Sequence, residues 1–138
     1  MSGDAVRVDE EGGVVTLTLN RPGVRNALTA EVAGDLRAAL SDLEGGETRC
    51  VVLEGAGEAF CAGGDVNAMV EYQTGDLSLD DAVRHVMQDT GRTIQRVAEC
   101  EFPTVAKVDG TAVGAGATLA LACDLQVAHE DARVGFGF

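Results

Sequence analysis

LEGAGEAFCAGGDV, residues 53–66, decides the fold. The wholly apolar run Cys50-Val51-Val52-Leu53 leads into it, and such short runs fit a strand covered on both faces. The chain then places glycine at positions 55, 57, 63 and 64 before the carboxylate of Asp65. A second segment repeats the arrangement: Val108 closes an apolar stretch, and Gly110, Gly114 and Gly116 follow it. A strand thus opens into a glycine-rich loop twice in one chain, and with helices alternating between the strands the fold reads as α/β.

The flanking sequence agrees. Residues 5–9 and 14–20 alternate apolar and polar, and Glu11-Gly12-Gly13 between them suits a tight antiparallel hairpin. Thr29 can cap a helix whose stripe is Val32, Leu36, Ala39, Leu40 and Leu43, with Gly45-Gly46 as its stop. Ser78, with Asp81 in the place of the usual glutamate of a capping box, starts a second helix. Val83, Val86, Met87, Thr90, Ile94, Val97 and Ala98 recur along it at helical spacing, and it ends near Glu99, before Pro103. A strand over 104–108, an alanine-rich helix within 114–123 and a last strand over 124–128 complete the reading. Strands alternating with helices predict mainly parallel pairing after the hairpin, and residues 1–138 form one domain.

Charge narrows the function classes. Asp and Glu number 23 against 10 Lys and Arg, a net charge of −13 that repels phosphate backbones and anionic lipid alike, so nucleic acid and membrane surfaces are excluded as partners. Lys107 is the sole lysine, and an acidic, lysine-poor surface suits solubility in concentrated salt. Cys50, Cys61, Cys100 and Cys123 form no C-x-x-C pair and have no histidine at ligand spacing; they read as reduced core thiols, with no metal site. The start, MSGDAVRVDEEGG, lacks the basic and apolar regions of a secretory signal, and no run of 18 apolar residues occurs, which predicts a cytoplasmic protein.

The glycines are not those of a nucleotide site. G-x-x-x-x-G-K-[ST] is absent, and Phe60 stands where a dinucleotide fingerprint needs its third glycine. Glycine before a helix can instead leave backbone N–H groups free and outward-facing, as at Gly64 and Ala115, the latter reinforced by a helix beginning near Gly114. Two amides converging on one point make an oxyanion hole, whose guest is a carbonyl oxygen that gains negative charge during reaction. The competing reading is that both segments are ordinary turns.

LNRPGVRNALT (19–29), LEGAGEAFCAGGDV (53–66) and FPTVAKVDGTAVGAGATLALACDLQVAHEDARVGFGF (102–138) together resemble the crotonase superfamily of enoyl-CoA hydratases and isomerases, in that family's order. The resemblance implies a spiral of ββα turns, an acyl-CoA thioester as substrate with coenzyme A as part of it rather than as a cofactor, and a stabilised thioester enolate. It places the amide donors at Gly64 and Ala115, and it makes Arg25, Ala27, Ala62, Asp65 and Val66 candidates for holding CoA. The Arg25 guanidinium offers a charged fork to phosphate.

Two departures qualify the resemblance. Hydratases of the family use a pair of glutamates, and the matching positions hold Thr118 and Phe138. A threonine hydroxyl cannot exchange protons alone near neutral pH, and phenylalanine cannot do so at all. Thr118 therefore marks a catalytic position without its chemistry. The family also continues well past residue 138, into turns that cover the acyl pocket and build a homotrimer or hexamer, so the chain reads as the N-terminal half of such a domain, prone to self-association. Enolate or isomerase chemistry in acyl-CoA metabolism is the expectation; thioester hydrolysis of a hydroxyacyl-CoA, and a catalytically silent remnant that only binds CoA or joins an oligomer, stay open beside it.

Overall fold

In the computed structural model, residues 5–43 and 46–137 are described. The alternating N-terminal segments form the expected hairpin, β1 (Val6–Glu11) and β2 (Val14–Leu19), which pair antiparallel through the Gly12–Gly13 turn. A 3₁₀ turn (Pro22–Val24) leads to α1 (Ala30–Asp42), whose N-cap Thr29 accepts a hydrogen bond from the Val32 amide at 3.2 Å. Of its buried side chains, Val32, Leu36, Ala39 and Leu40 belong to the stripe that the sequence shows, and Ala33 adds to it. Gly45 of the expected helix stop, and Phe138, lie outside the described residues.

From there the chain climbs in repeating units. β3 (Cys50–Gly55) and β4 (Ala59–Cys61) are followed by helices; β5 (Thr104–Val108) and β6 (Thr111–Val113) are followed by another; β7 (Leu125–Ala128) and β8 (Arg133–Gly135) come last. The first strand of each pair joins the hairpin in a five-stranded sheet of order β1-β2-β3-β5-β7, parallel beyond β1. The second strand of each pair joins a three-stranded parallel sheet, β4-β6-β8. This is a spiral of ββα turns. The three short strands β4, β6 and β8 escape a reading by periodicity because three residues make barely one full alternation.

The helices between β4 and β5 are α2 (Val66–Thr74), α3 (Leu79–Arg84), a π-helical segment (His85–Gly91) and α4 (Arg92–Ala98). The last three run without a break, so the single helix expected from Ser78 to about Glu99 is present, with a widened middle. Ser78 caps it, accepting from the Asp81 amide at 3.1 Å. Arg37 of α1 reaches over the widened part: its guanidinium donates to the carbonyls of Gln88 and Asp89 and, at 2.8 Å, to the Thr93 hydroxyl. A donor placed there suits carbonyls that π geometry displaces from their usual partners. The fifth helix, α5 (Ala115–Ala122), buries Ala117, Leu119 and Ala120.

Leu17, Leu19, Leu36, Phe60 and Leu119 are among the fully buried side chains of one core cluster, to which both sheets and helices α1, α4 and α5 contribute. Each such burial contributes about 1.5–3 kcal/mol. The apolar stripe of the long helix behaves differently at its two ends. Val97 is enclosed, but Val83, Val86 and Met87 stay exposed at 46%, 58% and 67%. The final strands are uncovered too, with Leu125 at 64% and Val127 at 60%.

Candidate active site

Because β4 and β6 run parallel, with Cys61 opposite Ala112, the loops that leave their C-terminal ends emerge side by side. One is Ala62 to Asp65; the other is Gly114, leading straight into α5. Gly114 has φ 56 and ψ −124, a conformation that only glycine enters readily, and it turns the chain sharply enough for Ala115 to open the helix. As the first helical residue, Ala115 has an N–H with no intrahelical acceptor. Gly116 lets α5 sit directly on β4: a Cβ there would run into the Cys61 carbonyl.

The other loop is held by the segment before α1. The Arg25 carbonyl accepts from the Ala62 amide at 2.9 Å, and the Leu28 amide donates to the Gly63 carbonyl at 2.8 Å. Leu28 and Gly64 form an isolated parallel bridge, and this bond leaves the Gly64 N–H off the ladder. Asn26 locks the arrangement from within. Fully buried, it accepts from the Arg21 amide at 2.8 Å and donates to the carbonyls of Ala56 and Ala59, both at 2.9 Å. No sequence pattern singled out Asn26, although a polar residue in a buried stretch needs partners of this kind.

Ala62, Gly64, Asp65, Val66, Ala115 and Thr118 line one cavity of about 970 Å³. Its walls are largely apolar, from Met69 and Tyr72 of α2, Val86 and Ile94 of the long helical run, and Val113 of β6. The exposed stripe noted above is thus partly a pocket wall rather than core. A concave apolar site with a few convergent polar groups is the form a small-molecule site takes.

The remaining candidates sort as follows. Asp65 accepts from the Ala68 amide at 3.2 Å and caps α2, so its carboxylate has a structural task. The Thr118 hydroxyl donates to the Gly114 carbonyl at 3.2 Å, one turn back. Arg25 and Ala27 do not line the cavity. The Arg25 side chain is exposed, while Ala27 is buried and already bonded through its N–H to Val24 and its carbonyl to Thr29. Burial pushes the Cys61 thiol up to about 11, a hydrogen bond with the Gly63 backbone opposing it, so it is protonated and poorly nucleophilic at neutral pH. Cys123 is likewise raised to about 11, chiefly by burial.

Among the cavity residues that the sequence reading did not single out, one is a histidine. His85, at the start of the π segment, lines the cavity, and its Nδ1 lies 2.8 Å from Asp89 Oδ2. The signal is a histidine and an aspartate four residues apart on a helix. Among the described residues there is no cluster of three or more metal-ligating side chains, and no helix is long and apolar enough to cross a membrane.

Fold and loops together define an α/β protein in which two glycine-rich loops border one apolar cavity. Residues 9–138 match the family model described as enoyl-CoA hydratase/isomerase, and the chain belongs to that family, within the crotonase superfamily. A Thermus thermophilus relative is 46% identical over 128 residues, covering 92% of this chain and 49% of that protein. The 1,2-epoxyphenylacetyl-CoA isomerase of Escherichia coli is 39% identical over 129 residues, covering 93% of this chain and 48% of the isomerase. A solved enoyl-CoA hydratase from Polaromonas superposes with a TM-score of 0.85 at 33% identity, over 94% of this chain and 49% of that one. The chain spans about half the length of the curated relatives it matches, and the likeness is to the N-terminal portion of the crotonase domain.

Proposed function

We propose that the cavity binds the acyl portion of a CoA thioester and stabilises its enolate through the Gly64 and Ala115 amides. The observation that carries this reading is that both amides, each left without a ladder or helix acceptor, border the same apolar cavity. A preorganised donor aimed at a developing oxyanion contributes about 3 kcal/mol, and the adjoining N-terminus of α5 adds to the field. Thr118, its hydroxyl bonded to the helix backbone, gives no support to direct hydration of a double bond. Isomerase-type enolate chemistry is therefore favoured over water addition. Arg25, exposed on the segment that holds Ala62, supplies a cation for the CoA phosphates.

Acetoacetyl-CoA tests this directly, because its enolate absorbs in the near ultraviolet and needs no enzymic base to form. The full chain is expected to raise that absorbance on binding, and Ala115→Pro, tolerated at a first helical position, to lower it while the thioester still binds. Arg25→Ala is expected to weaken binding without changing the absorbance per bound molecule. Binding without any enolate signal would sink the proposal.

A further inference from the structure

We infer that His85, oriented by Asp89, is the proton-transfer group of this site. The inference rests on the enolate reading above and supplies what that reading lacks, since Thr118 carries no acid or base. Nδ1 donates to the Asp89 carboxylate at 2.8 Å, which leaves the lone pair of a neutral imidazole on Nε2. That nitrogen is buried and has no hydrogen-bond partner among the described residues, although its side chain borders the cavity shared with Gly64 and Ala115. A buried polar atom without a partner calls for a ligand or a reaction. Asp89 is itself fixed: Arg37 stands 3.7 Å from its other carboxylate oxygen and binds its backbone carbonyl. Carboxylate, imidazole and a nitrogen without a partner in series make an oriented base.

The step balances simply. The α C–H bond of the thioester breaks, its proton passes to Nε2, and its electron pair becomes the enolate double bond, with charge on the oxygen held by the two amides. The imidazolium, stabilised by Asp89, returns the proton to the α or the γ carbon. Returned at γ, it moves a double bond; returned at α, it restores the substrate. Besides Asp89, the ionisable side chains that meet Asp89 or line the same cavity as His85 are Arg37 on the packed helix α1, Asp65 and Tyr72.

The test is exchange of the α-protons of butyryl-CoA in deuterium oxide, followed by proton NMR with the full chain. His85→Gln is expected to slow exchange by about 100-fold or more, the usual worth of a positioned base. Its thioester affinity is expected to stay within about threefold, and its acetoacetyl-CoA enolate signal to persist, because that signal reads the amides and not the base. Asp89→Asn, a change to a positioning residue, is expected to slow exchange less and to alter the histidine tautomer in nitrogen spectra. Only two histidines are present, so His85 is assignable in wild-type protein labelled at histidine nitrogen, and thioester binding is expected to shift its Nε2 resonance. Exchange in His85→Gln within threefold of wild type overturns the assignment. So does wild-type protein that binds butyryl-CoA without exchange, or an Nε2 resonance unmoved by it. Loss of the enolate signal in wild type would instead overturn the oxyanion reading beneath it.

Discussion

The same substitution, glycine to alanine, is expected to have opposite effects at two helical positions. At Gly116, a Cβ would meet the Cys61 carbonyl carbon at 2.8 Å and the Cys61 Cβ at 2.9 Å, with the carbonyl oxygen closer still. Backbone cannot rotate away as a side chain can, so the N-terminus of α5 must retreat from β4. Such overpacking costs about 1–3 kcal/mol, and the helix propensity gained offsets less than about 1 kcal/mol of it. At Gly34, inside α1, a Cβ meets nothing within 4 Å. There the gain is unopposed, and alanine stabilises by about 0.5–1 kcal/mol. Urea unfolding separates the two: with a slope of about 2 kcal/mol per molar, the Gly116→Ala midpoint falls by roughly 0.5–1 M, and the Gly34→Ala midpoint rises by a few tenths of a molar. Function follows only the first. Shifting residue 116 moves the adjoining Ala115 amide, so the acetoacetyl-CoA enolate signal falls in Gly116→Ala and is kept in Gly34→Ala. A Gly116→Ala protein as stable as wild type, with its enolate signal intact, would refute the close approach of α5 to Cys61.

Two further outcomes follow from burial and exposure. Cys61 and Cys123 have folded pKa values raised to about 11, so the stability they contribute is complete below the unfolded thiol value near 9 and is lost as pH rises towards 11, up to about 2–3 kcal/mol each; urea midpoints taken from pH 8 to pH 11 check this, and a flat profile in a Cys61→Ala, Cys123→Ala background identifies the thiols as its source. The β7 edge, with Leu125 and Val127 more than half exposed, is expected to drive self-association that sedimentation velocity detects as a mass rising with concentration. Val127→Lys is expected to reduce it, and an unchanged distribution would move the contact elsewhere.

What was legible in the sequence was what the backbone demands of residue type. Gly114 must be glycine to adopt its turn, and Gly116 must be glycine to let α5 touch β4, so both positions leave a visible trace. Helix α1 was legible because one face is buried and the other is not, and the periodicity records it; the hairpin was legible from its Gly12–Gly13 turn, since β1 buries only Val6. The β4-β6-β8 sheet left little trace, because three-residue strands carry no period. Nor did α2, which follows the glycine loop directly and buries none of its side chains.

His85 shows where such reading stops. A helix facing a cavity and a helix facing a core carry the same apolar spacing, because in both cases the residues avoid water until a partner arrives. Val86, Thr90 and Ile94 therefore read as ordinary packing, and a histidine among them reads as one more helical residue. What distinguishes the cases is the unfilled side. The imidazole is fixed on one nitrogen by Asp89, four residues on in the same helical run, and buried without a partner on the other, and it is this second condition that local spacing does not record. A base of this kind is bound to escape a search that matches positions against expected glutamates, since it reaches the same cavity from the helix preceding β5 while Thr118 reaches it from the helix following β6. A proton need only be removed from within the cavity, and more than one wall of the spiral can carry the group that removes it.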